Sequence, residues 1–411
     1  MSPSEAGLSR AEPGWHGAER IQDLHRHGVL IVEQGGRGGV ADYTGCLARA
    51  LANRGVPITL ATADDHLYGT IAGAAILPVF AYTRGHSSLA RQARELGLGR
   101  LLNGLRFLLA MPRLARLGRK RAVVHVQGWE RTSLGLVGTA ILLACGARIV
   151  YTSHNTFERR RRALDGTWLF SRLARHTIVH TDGDRQRVSG PASVIAHGNY
   201  AGVADGAPPV SPEAARAALG LPAEPPVVLL FGVLRPDKGL DDLLLAASQV
   251  PRWRILVAGK EDGALHAARE VLRRPELAER VTVREGFHGI DEVAGFFAAA
   301  DLVALPYHRV SQSGVLQLAY GFARPVAAYP VGGLPEAVIE GETGWLCAQA
   351  TPSALAAVLR EADSAGREEL RRRGEAGRNW AAKTRDWDTI AAATEAVYAS
   401  VLRSGQPVGR G

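Results

Sequence analysis

Residues 227–247 read VVLLFGVLRPDKGLDDLLLAA, and this stretch decides the fold class. An apolar run ends in a glycine turn, and a segment with helical spacing follows at 240–247. A buried strand followed by a tight turn and a helix is the unit from which parallel α/β sheets are built. Arg235 and Lys238 place two fixed cations in the turn, where they suit a diphosphate. Away from a helix start, they would indicate only an ordinary basic surface turn.

The same unit recurs along the 411-residue chain, because apolar, β-branched runs alternate with stretches of helical period. The runs are 29–34, 58–62, 75–80, 123–127, 148–153, 177–180 and 193–196 in the first half, and 227–232, 254–258, 281–284, 301–306 and 325–328 in the second. Residues 202–212, rich in Gly, Ala and Pro, separate the halves. We therefore predict an α/β protein of two Rossmann-like domains, since the chain is too long for one ordinary core.

Near the carboxyl terminus, residues 390–402 keep helical spacing without a following strand. We interpret them as a helix that crosses back to the first domain. The predicted division is a flexible tail at 1–27, a first domain at 28–203, a second domain at 204–385, the returning helix at 386–403 and a disordered tail at 404–411.

Composition argues against several classes of protein. Cys46, Cys145 and Cys347 lie far apart, so we expect no disulfide framework, no zinc site and a reducing cytoplasm. Residues 1–27 lack the apolar core of a secretory signal, and the longest uncharged stretch, between Arg131 and Arg148, is shorter than a membrane span. Aromatic residues make up only 6% and no recognition motif is present, so we expect no nucleic-acid partner.

The net charge of +9 is unevenly distributed, and residues 91–121 carry nine Arg and Lys residues set among leucines. A basic amphipathic segment of this kind suits an anionic membrane surface. It would make the protein peripheral at the inner membrane face. The alternative is a solvated helix whose arginine side chains extend along its own surface. The sequence leaves both interpretations open.

A glycine-rich loop, 34–41, follows the first apolar run and opens a helix. Its Gly36-x-Gly38-x-x-Ala41 pattern matches the dinucleotide fingerprint, and Asp64 or Asp65 is placed to take a ribose. Taken alone, the loop would suit a nicotinamide-dependent dehydrogenase. The alternative is a tight strand–helix turn with a purely structural role. Because lysine and Ser/Thr are missing, the loop is not a nucleoside-triphosphate P-loop.

Two further loops in the second half follow strands and open helices. One contains Gln312, Ser313, Gly314 and Val315, and the other is 331–336, with two consecutive glycines. The backbone N–H groups of a helix start can bind phosphate. Together with 232–239, these give three phosphate-competent loops at the carboxyl ends of one predicted sheet, facing the glycine-rich loop across a cleft.

These segments, taken in order, resemble family-4 glycosyltransferases, which are retaining enzymes of the GT-B fold. The resemblance runs from about Val29 to Trp387. It rests on the glycine-rich loop and on segments 151–155, 197–199, 235–239, 297–301, 312–314, 324–326 and 332–336. It implies a donor nucleotide in the second domain, an acceptor on the first domain, and closure between the two.

The resemblance also assigns roles. Arg235 and Lys238 would neutralise the donor diphosphate as leaving-group charge develops. Backbone groups of 312–315 and of the Gly38-Gly39 turn would hold phosphate and sugar. Phe287, next to His288, falls where the family binds the base. His154 would reach the transferred sugar, or else is a buried structural histidine.

The sequence departs from the family pattern in two places. The usual pair of glutamates is replaced by Ser311 or Val310 and by Leu318 or Ala319, and Gln312 or Gln317 would substitute by hydrogen bonding. The arginine usual after Gly232 is Val233, which leaves Arg235 as its replacement. The sugar identity and the ribose contacts are therefore less defined than the diphosphate site.

We expect no general base, because in the family that the sequence resembles the departing phosphate accepts the acceptor's proton. We also expect no metal ion, because the candidate metal-binding triplets are not in the cleft loops. Two DxD-like triplets, 182–184 and 386–388, lie away from the cleft loops. The leading hypothesis is a retaining, metal-independent transferase that uses a UDP- or GDP-sugar and a saccharide or lipid-linked acceptor. The alternatives are the dehydrogenase and an inactive sugar-nucleotide-binding protein.

Overall fold

The computed structural model describes residues 16–82, 98–129, 131–154 and 166–403. The strands are β1 (Val29–Val32), β2 (Ile58–Ala63), β3 (Ala74–Phe80), β4 (Val123–Val126), β5 (Ile149–Thr152), β6 (His176–Val179), β7 (Ala192–Val194), β8 (Val227–Phe231), β9 (Arg254–Gly259), β10 (Val281–Glu285), β11 (Leu302–Leu305), β12 (Val326–Ala328) and β13 (Gly344–Leu346). Each of the twelve predicted runs overlaps one of β1–β12. Strand β13 was missed because its three residues follow a run of turn-forming residues.

Helices connect these strands. Those in the first half are α1 (His16–His27), α2 (Gly39–Asn53), α3 (Gly99–Arg119), α4 (Thr132–Ala144), α5 (Gly166–Leu173), α6 (Asp182–Arg185) and α7 (Ala201–Asp205). Those in the second half are α8 (Pro212–Leu219), a 3-10 turn (Pro236–Lys238), α9 (Leu240–Ser248), α10 (Ala264–Leu272), α11 (Pro275–Ala278), α12 (Ile290–Ala299), α13 (Gly314–Gly321), α14 (Leu334–Ala337), α15 (Pro352–Thr384, interrupted at Gly366) and α16 (Trp387–Arg403). None of the helices in the described ranges is long and apolar enough to cross a membrane.

The strands form two parallel sheets, one in each predicted domain. The first has the order β3-β2-β1-β4-β5-β6-β7, and the second has the order β10-β9-β8-β11-β12-β13. In each sheet the order reverses beside the first strand, between β1 and β4 and between β8 and β11. Ligands of open α/β sheets bind at such switch points, beyond the carboxyl ends of the strands. The glycine-rich loop and the Arg235–Lys238 turn therefore lie where the topology places binding sites.

Both faces of each sheet are covered by helices, and the central strands are buried throughout. Strand β1 is solvent-inaccessible over its whole length, and so is β11 apart from a trace at Ala304. Strands buried on both faces consist of continuous apolar runs, which explains why the sequence showed runs rather than alternation. The predicted α/β architecture of two Rossmann-like domains is confirmed.

The predicted returning helix is confirmed by α16, which packs in the core of the first domain. Ile390, Ala391 and Val401 are buried there with Leu47 and Leu51 of α2. Side chains at the edge add ion pairs, since Arg54 Nε lies 3.0 Å from Glu395 Oε2. The carboxyl-terminal helix therefore links the second domain to the first.

The prediction of a flexible tail at 1–27 is wrong for its second part, because residues 16–27 form α1. Leu24 is fully buried in the same core as α16, and His25 Nε2 lies 3.2 Å from Glu395 Oε1. The surface that orders α1 comes partly from a helix about 370 residues away in sequence, so local sequence did not reveal it. Residues 1–15 and the predicted disordered tail at 404–411 lie outside the described residues. The predicted boundary at 203/204 falls inside α7.

Candidate functional site

Tyr200 joins the two predicted binding loops across the domain boundary. Its hydroxyl donates to the Gly39 carbonyl oxygen, which is 3.1 Å away. A Cβ placed on Gly314, at the start of α13, would lie 3.6 Å from the Tyr200 ring. Tyr200 is therefore enclosed between the Gly38-Gly39 turn of the first domain and the Gln312–Val315 loop of the second. No sequence pattern indicated this role, because it depends on how the two domains face each other.

The turn after β8 is fixed against β11 and α13. Gly239 has φ +68°, and a Cβ there would overlap the Pro306 carbonyl oxygen at the end of β11. The His308 N–H donates to the Asp237 carbonyl oxygen at 3.0 Å. A Cβ on Gly232 would lie 3.3 Å from Val315 Cγ2. The predicted cationic turn and the predicted helix start therefore lie side by side.

Lys238 is the cation that this turn presents. Its Nζ lies 3.6 Å from the centre of the Tyr307 ring, a cation–π contact. Burial, and secondarily the nearby Arg235 guanidinium, lower the pKa of Lys238 to about 8. Within the described part of the chain, no carboxylate lies within ion-pair distance of its ammonium. A desolvated ammonium without a counter-ion provides a site for an anionic ligand.

Arg235, the second predicted cation, already has a partner. Its Nε and Nη2 donate to Asp237 Oδ1 and Oδ2 at 2.8 and 2.9 Å. This bidentate bond raises the pKa of Arg235 and lowers that of Asp237. The guanidinium charge is thus largely matched before any ligand arrives, which the sequence interpretation did not foresee.

The start of α13 presents backbone N–H groups for which the described part of the chain supplies no acceptor. Ser313 caps the helix, because its Oγ accepts from the Leu316 N–H at 3.2 Å. The amides of Gly314 and Val315 precede that bond, in the first turn where a helix has no internal acceptors. Gln312 is half-buried, and its side-chain nitrogen adjoins Gly333 of the neighbouring loop.

Gln317, on the second turn of α13, is only 1% exposed. Its Oε1 has no hydrogen-bond partner among the residues that the structure describes. An unpaired buried acceptor is costly, typically about 1–3 kcal/mol. Gln317 therefore lies beneath the Gln312–Val315 loop as the predicted substitute for a glutamate, but it is not exposed to a ligand in this conformation.

Phe287 follows β10 at the carboxyl edge of the second sheet and is 54% exposed. The adjacent His288 turns inward instead, where its ring packs 4.7 Å from that of Phe296 and its Nε2 lies 3.1 Å from the Arg284 carbonyl oxygen. The ring of Phe287 is thus the member of the pair that presents a flat apolar surface to solvent.

The glycine-rich loop is occupied by a residue that the sequence interpretation missed. Glu33, which follows β1 and is 3% exposed, accepts from the N–H groups of Gly35 and Gly36, both at 2.7 Å. It also accepts from the Tyr68 hydroxyl at 2.9 Å. A negative charge inside the loop opposes a pyrophosphate at those amides. Only its place after the strand could have indicated this role.

One of the two predicted ribose ligands, Asp65, is also engaged. Arg37 donates from Nε to the Asp65 carbonyl oxygen at 2.9 Å and pairs with the Asp65 carboxylate at 3.2 Å. The Glu33 and Asp65 contacts weigh against the dehydrogenase interpretation, and Asp64, the alternative ribose ligand, is exposed. What stays open is the Gly38-Gly39 turn, where a Cβ on either residue would meet nothing within 4 Å.

His154 lies in a cluster of histidine and aromatic side chains beyond β4–β7. Its Nε2 donates to Gln127 Oε1 at 2.8 Å, and its Nδ1 lies 3.4 Å from His180 Nε2. Tyr43 contacts the rings of His154, His180 and His197 edge-on.

Burial lowers the pKa of each histidine in this cluster, to about 3 in His197 and well below its usual value in His154. The imidazoles are therefore neutral at physiological pH. Both nitrogens of His154 face protein groups, which favours a positioning role over proton transfer.

Three residues near the cationic turn have the chemistry of cation ligands. Ligand atoms of Asp241, Asp242 and His308 lie within 4.8 Å of one another. The Tyr329 hydroxyl donates to Asp242 Oδ2 at 2.7 Å, and His308 is exposed. Of the two DxD-like triplets, 182–184 contains Asp184, which is buried at 2% exposure. Metal independence stays a prediction.

Two family models match the chain, one in each domain. Residues 37–195 match a model described as Glycosyltransferase Family 4, and residues 225–363 match one described as Glycosyl transferases group 1. The matched ranges contain the open glycine turn, the cationic turn and the start of α13.

Curated relatives include D-inositol 3-phosphate glycosyltransferases. That of Mycobacterium leprae is 36% identical over 231 residues, 53% of this chain and 53% of the relative. That of Mycobacterium tuberculosis is 34% identical over 231 residues, 53% of this chain and 48% of the relative. The matched region thus spans about half the length of these relatives.

Solved structures share the fold at low sequence identity. Anabaena HepE, solved with UDP and glucose, has a TM-score of 0.71 at 19% identity and covers 90% of this chain and 99% of its own. Sucrose-phosphate synthase from Thermosynechococcus elongatus has a TM-score of 0.71 at 21% identity, and the match covers 92% of this chain and 100% of the synthase chain. WaaG, involved in lipopolysaccharide biosynthesis, has a TM-score of 0.63 at 16% identity, and the match covers 90% of this chain and 99% of the WaaG chain.

Proposed function

Because the chain belongs to the family-4-like glycosyltransferases of the GT-B fold, we propose that it transfers a hexose from a UDP- or GDP-sugar to a saccharide or lipid-linked acceptor. The proposal includes a role in polysaccharide or glycoconjugate biosynthesis, retention of configuration and independence of metal ions. A lipid-linked acceptor would require contact with an anionic membrane surface through the described part of the basic segment.

The observation that carries the proposal is the Lys238 ammonium beside the start of α13. Its charge has no counter-ion among the described residues, and the amides of Gly314 and Val315 adjoin the same turn through Val315 and Gly232. A diphosphate would supply the missing negative charge and accept from the free amides. The exposed ring of Phe287 lies at the same edge of the sheet and would carry the base.

In the proposed reaction, the bond between the anomeric carbon and the diphosphate oxygen breaks while the acceptor oxygen attacks on the same face. The acceptor's proton goes to the departing phosphate oxygen. Lys238 and the amides of α13 stabilise the charge that develops there. The Gly38-Gly39 turn leaves room for the sugar, and His154 lies beyond the same edge of the first sheet.

Donor binding is tested by thermal shift with UDP, GDP, UDP-glucose, GDP-mannose and NAD, each with and without EDTA. A ligand that binds the folded state alone raises its Tm. We expect a shift with uridine or guanosine ligands that EDTA does not change. A shift with NAD alone would refute the proposal. Loss of the nucleotide shift in EDTA would refute the part of the proposal that concerns independence of metal ions.

Catalysis needs a second measurement, because the missing glutamate pair also suits an inactive binding protein. We expect release of UDP or GDP from the chosen nucleotide-sugar, and NMR of the product should show the donor's anomeric configuration. Nucleotide binding without any turnover across saccharide and lipid-linked acceptors would favour the inactive protein.

A further inference from the structure

Helix α3 exposes an apolar stripe on its outward face. Leu101 and Leu109 are 73% and 70% exposed, and Leu98, Leu105 and Leu108 are also among the exposed large apolar residues. At 3.6 residues per turn these five lie within about 100° of one another. The opposite side of α3, with Phe107, Met111 and Leu114, is buried in the first domain. Contiguous exposed leucines indicate an interaction surface.

The same outward face becomes cationic towards the end of the helix. Arg116, Arg119 and Lys120 are exposed, and no acidic residue occurs between Gly99 and Lys120. In the part of the chain that the structure describes, none of these three cations forms an ion pair. A surface with leucines over its first turns and unpaired cations over its last turns complements a bilayer with anionic headgroups.

The leucine end of α3 lies near the carboxyl edge of the first sheet. Arg131, at the start of α4, donates to the Arg100 carbonyl oxygen at 3.4 Å. Phe107 packs 5.7 Å from Trp129, which lies two residues after Gln127, the partner of His154. A bilayer on this face would therefore meet the carboxyl edge of the first sheet, where the proposed function places the acceptor.

We propose that the outward face of α3, Leu98–Lys120, docks on an anionic phospholipid bilayer and brings a lipid-linked acceptor to the cleft. The leucines enter the headgroup–acyl boundary, and the basic end binds headgroups. The proposal rests on the proposed function for its acceptor, but bilayer binding itself needs no donor.

Vesicle flotation of the full chain tests it, with phosphatidylcholine alone and with 30% phosphatidylglycerol. We expect binding only to the anionic vesicles. Arg116→Gln with Arg119→Gln and Lys120→Gln should weaken it about a hundredfold, since each cation near the surface contributes about fivefold. The charge-matched control, Arg269→Gln with Arg273→Gln and Arg274→Gln on exposed positions of the second domain, should bind like the parent protein.

A second variant, Leu101→Gln with Leu105→Gln and Leu109→Gln, should weaken binding at least tenfold at unchanged charge. Equal loss in the second-domain control, or no effect of the leucine changes, would overturn the proposal. The proposal would also be overturned if the parent protein forms a concentration-dependent dimer that the leucine variant abolishes, while vesicles bind neither protein. The nucleotide thermal shift separates the two ideas, because it should persist in every one of these variants.

Discussion

The loops after β1 and β8 occupy the same topological position in their sheets but have opposite electrostatics. In the first, the Glu33 carboxylate accepts from the loop's own amides. In the second, the Lys238 ammonium has no carboxylate partner among the described residues and lies over an aromatic ring. One architecture used twice therefore yields one loop closed to anions and one open to them. The difference lies in side chains and not in the backbone plan.

The largest effect is expected at Lys238. Lys238→Met keeps the length of the side chain and removes its charge, so UDP or GDP affinity should fall by about 2–4 kcal/mol, roughly thirtyfold to several hundredfold in Kd. Titration calorimetry measures this directly. Lys383→Met, at an exposed position on α15, is the matched control and should bind like the parent protein. Undiminished affinity in Lys238→Met would show that the second loop is not the open one.

The sequence predicted the second loop well because its evidence is local. A strand, a glycine turn with cations and a helix lie within about 20 consecutive residues, and their order alone placed Lys238 at a switch point. The glycine-rich loop was harder to interpret. Its spacing suits a dinucleotide, and only the structure shows that Glu33 turns back onto Gly35 and Gly36.

Contacts between distant segments were out of reach of the sequence. Tyr200 meets Gly39 only because the domains face each other, and α1 is ordered by α16. Arg235 and Asp237 are close in sequence, but a bound anion would compete with Asp237 for the Arg235 guanidinium. Composition does not determine which of the two partners the guanidinium takes. The fold and the places of these loops at the carboxyl ends of the strands were therefore predictable, whereas the state of the individual charges was not.

Glu33→Gln tests the closed loop. An amide cannot accept from both glycine N–H groups as a carboxylate does, so the free energy of unfolding should fall by about 1–3 kcal/mol. UDP or GDP affinity should stay unchanged, because the proposed function places the nucleotide on the other domain. Urea denaturation and calorimetry measure the two quantities, with exposed Glu270→Gln as the control. A loss of nucleotide affinity comparable to that of Lys238→Met would contradict the division of roles.

The lowered pKa of Lys238 predicts a pH dependence of nucleotide binding. The ammonium is charged below its pKa of about 8 and neutral above it. Raising the pH from 7 to 9 should therefore weaken UDP or GDP binding by up to about tenfold. Calorimetry at several pH values gives the curve. In Lys238→Met the curve should be flat over this interval, and a persisting alkaline loss would assign the titration to another group.

Arg235→Gln should have the smallest effect, less than about threefold in nucleotide Kd at pH 7, because its guanidinium is already matched by Asp237. Since the Arg235 charge helps to lower the pKa of Lys238, its removal should also shift the alkaline loss of binding to higher pH. Asp237→Asn is the informative partner variant, because it releases the guanidinium. If Arg235→Gln instead costs as much as Lys238→Met, the guanidinium leaves Asp237 when the diphosphate binds. The second loop would then open by exchanging its own carboxylate for the ligand's phosphate. The first loop differs, because the Glu33 carboxylate is held there by neutral donors, the N–H groups of Gly35 and Gly36 and the Tyr68 hydroxyl.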